Sequence, residues 1–371
     1  MKQRAEDKLT ADALHCGEDL IVWRSKHPLL GGAVETGGSF SLTSPALART
    51  MVVTTASRPG MVWAASKATG AAVWSRSFPS VHSVLADRDL IYAKAGRQIV
   101  CINAANGETQ WQTPPWPTEV DAEPDADLDI IRGPQLFEGL VLWPSAGGLV
   151  TCARADSGAE VWRSRRDNGV LSRLTCIDGK VIGTEQPAGI FALDVADGRP
   201  IWSRTLPTRS LHRPMAAFGG VLVRLDNGLL LLNSRTGETE VSWCWPGRLV
   251  GHFASGDGIA FAVLCEPEDS IVGGRHSVIP RECRIVRLAP DGATMWELES
   301  VIRGPRIAWS AHRRVLVEAC GGVAICDVNN GRRIHLIHWP DFEWRLTPTL
   351  DADRIYVTTV EGEIFAFRFP A

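Results

Sequence analysis

Two short stretches of this chain carry side chains at spacings that chemistry can use. In Asp125-Ala126-Asp127-Leu128-Asp129 the carboxylates alternate, as they do at the start of a calcium loop, where a hard cation collects oxygen ligands. Such a loop turns on a glycine at its sixth position and closes with a glutamate at its twelfth. Ile130 and Leu136 stand there instead, so a solvated acidic loop is expected. His335 and His338 flank Leu336 and Ile337, and at that odd spacing two side chains of one strand face opposite ways and cannot share a metal. The sequence has no H-E-x-x-H, no G-x-x-x-x-G-K, no G-x-S-x-G and no G-x-G-x-x-G, the short motifs that mark zinc, phosphate, acyl-transfer and dinucleotide chemistry. No catalytic residue, metal or cofactor is expected.

A more diffuse pattern is basic. His82, Arg132, Arg173, His212, Arg213, Arg303 and Arg345 fall in Ser-Val-His-Ser, Ile-Arg-Gly-Pro, Leu-Ser-Arg-Leu, Leu-His-Arg-Pro, a second Ile-Arg-Gly-Pro and Trp-Arg-Leu-Thr, each at the start of an expected inner strand. Converging at one mouth, they would form a positive funnel for an acidic segment or a phosphate. The competing expectation is that they are solvated and neutralised by the acidic loop holding Asp125 and Asp127. Two insertions lie beside this pattern, 116–129 and 266–280, the second carrying Arg275. Loops on a rigid scaffold are the usual place for recognition, so both join the candidate interaction surface.

The elements that must position these residues repeat. Aligned on glycine, seven segments read alike: 65–74, 102–111, 153–162, 193–202, 232–241, 288–296 and 326–335, with glycines at 70, 107, 158, 198, 237, 292 and 331. The period is that of a propeller blade of four short strands, lengthened by the two insertions. Between copies run β-rich segments such as Gly-Val-Leu-Val-Arg-Leu and Asp-Arg-Ile-Tyr-Val-Thr-Thr-Val, entered through Gly or Asp-Gly turns. The glycine, Gly198 for example, suits a tight turn of positive φ between third and fourth strands, and Asp or Asn before it favours that turn. Trp74, Trp111, Trp162, Trp202 and Trp296 follow four residues later. Each ring is large enough to bury ~150–250 Å² against the neighbouring blade. Val241 and His335 replace the tryptophan in two copies, with Trp243 and Trp339 nearby.

The termini extend the count. Ile364-Phe-Ala-Phe matches Ile190-Phe-Ala-Leu, but the chain ends where the next turn glycine would fall. Leu20-Ile-Val-Trp-Arg-Ser-Lys reads like the outer strand Ala159-Glu-Val-Trp-Arg-Ser-Arg with no inner strands before it. Pairing the two removes two open sheet edges. The expectation is therefore all-β: one eight-bladed β-propeller of four-stranded antiparallel blades over residues 20–371, closed by N- and C-terminal strands, behind a tail of residues 1–19. Seven blades is the alternative.

At these residues the chain resembles the quinoprotein-type (PQQ-like) repeat family, whose docking pattern runs Ala-x-Asp-x-x-x-Gly-x-x-x-Trp; Ala192, Asp194, Gly198 and Trp202 match it. The resemblance implies a propeller and one of two uses. One branch holds alcohol and sugar dehydrogenases, with the quinone between an aromatic floor and a disulfide of adjacent cysteines, and calcium on carboxylate and amide oxygens. The other holds non-catalytic propellers, including BamB-like lipoproteins, which act as interaction scaffolds. This chain has no adjacent cysteine pair, which sets it apart from the first.

A net charge of −3 and a pI near 6.3 supply no general attraction for nucleic acid or an anionic membrane. The first twenty residues are charged throughout, and no apolar run approaches the ~20 residues of a spanning helix. The nine cysteines are scattered without a C-x-x-C, so reduced thiols serving as small apolar residues are expected. A non-enzymatic cytoplasmic scaffold with one or more protein partners, no nucleic acid and no membrane insertion follows. A propeller sensing a small anion is second, and a quinone-dependent dehydrogenase a distant third.

Overall fold

The computed structural model describes residues 21–26, 45–56, 60–115, 133–145, 147–170, 172–210, 212–256, 259–272, 275–300, 306–309, 314–319, 322–338, 348–351, 353–358 and 363–368. These form eight four-stranded antiparallel sheets and, among the described residues, no helix. The fold class is an eight-bladed β-propeller. Blades 1 to 7 occupy residues 46–77, 81–112, 135–165, 175–205, 215–244, 249–300 and 306–338, each with its strands in chain order. Blade 8 differs. Its inner three strands lie within 349–368, and its outer strand is Ile21–Lys26, paired antiparallel with Glu363–Arg368 through Trp23↔Ala366 and Lys26↔Glu363. The terminal closure expected from the sequence is present. Blades 1 to 4 and 8 make one compact unit, and blades 5 to 7 another.

Burial follows strand position. Lys180–Glu185 and Gly189–Asp194, second and third in blade 4, are buried along nearly their whole length, whereas in the outer strand Pro200–Thr205 only Trp202 is buried. Strands covered on both faces read as continuous apolar runs, and strands facing solvent alternate. In the first unit, Val53, Val62 and Ala64 of blade 1 pack on Ile91, Val100 and Ile102 of blade 2. In the second, Phe261, Val263 and Ile285 of blade 6 pack on Val315, Val317 and Ala324 of blade 7.

The recurring tryptophan is an inter-blade dock. The Trp162 ring covers Gly198 of the next blade so closely that a Cβ there would lie 2.4 Å from it, and the indole N–H donates to Val195 O at 2.8 Å. Trp74 does the same over Gly107 with Ala104 O, Trp111 over Gly158 with Ala155 O, and Trp296 over Gly331 with Val328 O. Gly198 has φ +72°, so its turn and the approaching ring both require glycine. The turn is held by Asp194 and Asp197, whose carboxylates accept the N–H groups of Ala196 and Arg199. That is why Asp and Asn precede the glycine. In blade 5, Val241 holds the docking position, 3.2 Å from a Cβ built on Gly292. Trp243 does not replace it: it packs on Phe218 with ring centroids 6.4 Å apart. Trp339 lies outside the described residues.

Candidate interaction surface

The docks sit at the end of each blade where the third strand turns into the fourth. At the opposite end the second strand turns into the third and the fourth leaves for the next blade, and those sequence-derived candidates that are among the described residues lie near it. Arg173 lies two residues before the inner strand Thr175–Ile177, and His212 and Arg213 precede Met215–Ala217. His82 lies in Val81–Asp87, where the register shifts between Val81 and Ser83. Arg275 opens a strand, its backbone opposite Val272. Arg132, Arg303, Arg345, Asp125 and Asp127 lie outside the described residues.

Arg173 and Arg213 are half-buried. Burial pushes both guanidiniums below their ordinary pKa, Arg213 to about 10, and the positive charge of Arg173 adds to the shift on Arg213 while the Cys176 thiol opposes it. Arg213 Nε donates to Thr175 Oγ1 at 3.0 Å, and Thr175 Oγ1 donates to Pro214 O. Arg173 Nε lies 3.3 Å from where a Cβ on Gly133 would stand, beside the buried Ser83 hydroxyl. Two like charges are thus held in a partly dehydrated place, where each favours an anion more than it would in water.

At the same end of blade 4, Arg166 makes a two-pronged ion pair with Glu185, both contacts 2.9 Å, and its guanidinium stacks 4.7 Å from the Phe191 ring centre. Next to this pair a cleft of about 310 Å³ is lined by Asn168, Gln186, Pro187, Ser203 and Thr205. Sequence reading missed both features, because the Arg and Glu lie 19 residues apart and meet only through blade register.

The insertion 266–280 is not a loop. The second and third strands of blade 6, Ile259–Val272 and Arg275–Leu288, run 14 residues each, against 5 or 6 for their counterparts in blade 4 or 5. Their pairing continues to Val272↔Arg275. The β-branched runs Ser270-Ile-Val and Ser277-Val-Ile around Gly273-Gly274 are a hairpin signal that could have found this arm. The insertion 116–129 lies outside the described residues. Among the described residues, no three His, Cys, Asp or Glu side chains group where they could hold a metal ion, and no helix is long and apolar enough to cross a membrane.

These blades, docked by tryptophan on glycine, define a propeller of PQQ-like repeats. The family described as outer membrane protein assembly factor BamB matches residues 13–133, 98–243 and 146–369, and the chain belongs to that family. The outer membrane protein assembly factor BamB of Yersinia pestis is 29% identical over 106 residues, a match spanning 25% of this chain and 27% of that protein. Among solved structures, BamB from Moraxella catarrhalis superposes with a TM-score of 0.60 at 16% identity, over 94% of this chain and 97% of that one. A quinohemoprotein alcohol dehydrogenase from Pseudomonas putida HK5 superposes with a TM-score of 0.66 at 11% identity, over 94% and 76%. At such identities both show a shared fold alone.

Proposed function

We propose that the chain is a non-enzymatic, cytoplasmic scaffold that holds a partner protein at the end of its blades bearing the blade 6 arm. The arm carries this reading: its 14-residue strands exceed what a blade needs, and a paired hairpin reaching past a rigid sheet offers main-chain and side-chain contacts at little ordering cost. Membership in the BamB family supports a scaffold over a catalyst, and the sequence lacks the adjacent cysteines of quinone enzymes. Affinity capture of the tagged full chain from its own host, beside a variant lacking residues 267–281, tests it. A partner recovered with the intact chain and lost with the variant is the expected result. Equal recovery moves the site elsewhere, and fractionation of the host tests the compartment.

A second reading, binding of a small anion, is favoured by the Arg173 and Arg213 pair. Inorganic phosphate should then raise the melting temperature of the wild-type chain and leave that of Arg213→Met unchanged.

A further inference from the structure

The arm meets its blade at two cysteines. Cys265 and Cys283 stand directly opposite each other in neighbouring strands, and their sulfurs lie 3.1 Å apart, closer than two non-bonded sulfurs pack. Immediately beyond them the register shifts between Cys265 and Pro267, and the paired residues of the arm begin. On the other side Cys283 pairs with Ser300, the last residue of the outer strand. The pair therefore marks the root of the arm.

We propose that Cys265 and Cys283 are a disulfide-forming site that clasps the root of the arm when a disulfide-type oxidant reaches it. The surroundings suit the bond. Directly opposed strand residues fall within the Cα separations a disulfide spans, so the cross-link needs the sulfurs to close up rather than the backbone to move. Gly251 leaves the room: a Cβ at that position would lie 2.9 Å from Cys265 Sγ. The Cys283 contact first, and burial second, raise the Cys265 pKa, while Arg224, anchored by a 3.0 Å hydrogen bond to Gly251 O, opposes them. Both thiols are nearly inaccessible, at 2% and 1%. Reaction thus runs through opening of the arm root or through the chain before it has packed.

The chemistry balances as thiol–disulfide exchange. The Cys265 thiolate attacks one sulfur of a small disulfide such as oxidised glutathione, forming a mixed disulfide and releasing one thiolate. The Cys283 thiolate then attacks Cys265 Sγ in that mixed disulfide and releases the second. One protein S–S bond replaces two S–H bonds, and the oxidant takes up both electrons and both protons as two thiols. In a reducing cytoplasm the same exchange runs backwards and the clasp stays open. The proposal stands apart from the docking role and holds whether or not a partner binds the arm.

The full-length reduced chain is exposed to oxidised glutathione, both folded and during refolding from urea, then quenched with N-ethylmaleimide and digested without reduction. A peptide cross-linked between Cys265 and Cys283, lost on adding dithiothreitol, is expected. Hydrogen exchange of amides 267–280 should slow at least about tenfold in the oxidised chain, because the link closes the root of the loop. Cys283→Ser should stop at the mixed disulfide, with glutathione on Cys265. If that variant does not fold, the cross-linked wild-type peptide decides alone. Maleimide on both cysteines after both treatments, or Cys265 bonded to any other cysteine instead, overturns the proposal.

Discussion

Trp23, in the first described strand of the chain, lies with its indole over Gly70, where a Cβ would stand 2.5 Å from the ring, and donates its N–H to Lys67 O at 2.8 Å. The strand that completes blade 8 therefore also docks blade 8 on blade 1, by the contact the internal blades use. Trp23 is 7% exposed and packs on Tyr356 at 6.0 Å. Trp23→Ala should cost ~3–5 kcal/mol, measured by urea unfolding, because it opens a large cavity. Deleting residues 1–15 should change little. Deleting residues 1–27 should bare the edge of Glu363–Arg368 and yield aggregates by size-exclusion chromatography. A monodisperse product would show that the edge is covered by something else.

The dock itself predicts non-additivity. Trp162→Ala should cost ~3–5 kcal/mol. Gly198→Ala should cost ~2–4 kcal/mol, because its methyl meets the Trp162 ring and its φ of +72° strains any L-residue. Once the ring is gone the methyl has space, so the double variant should be about 1–3 kcal/mol more stable than the sum of the single losses predicts. A strictly additive double variant would mean that ring and glycine do not share one site.

The repeat was legible because it rests on local chemistry: Asp194 and Gly198 shape one turn, and Trp202 follows at fixed spacing. Trp23 is readable from its Val-Trp-Arg-Ser match to blade 3, but it has no turn glycine four residues before it, so the repeat pattern alone does not mark it as a docking tryptophan. What escaped depends on register. Cys265 and Cys283 are 18 residues apart, as are Arg248 and Glu266, which form a 2.7 Å ion pair, and only strand pairing makes them neighbours. The partial burial of Arg173 and Arg213 was equally hidden, since both lie in irregular backbone just before an inner strand, where no exposure period exists.

That burial carries a pH signature. The Arg213 pKa is lowered to about 10 in the folded chain, so between that value and the ordinary ~12.5 the unfolded chain binds more protons and stability rises with pH. Below pH 10 the dehydrated charge is a standing penalty. Arg213→Met should therefore raise the melting temperature at pH 7, by about 1–3 °C for a chain of this size, and the advantage should shrink as pH climbs past 10. Thr175 keeps its bond to Pro214 O in that variant. A lower melting temperature at neutral pH would show that the guanidinium is held by a stabilising partner.

The arm gives the sharpest functional test. Joining Glu266 to Glu282 through a short Gly/Ser turn should leave blade 6 folded, because its inner pairs from Ala260↔Leu288 to Cys265↔Cys283 remain and loop closure depends weakly on length. Circular dichroism and melting temperature should be close to those of the intact chain, while recovery of the partner should fall at least about tenfold, the loss of roughly 1.4 kcal/mol of binding. Charge reversal at Arg132 and Arg303 probes the basic set separately. If an acidic element enters there, binding should weaken and lose part of its salt dependence. Unchanged recovery in every one of these variants, with the fold intact, would place the interaction on the tryptophan-dock end of the blades or on their outer strands.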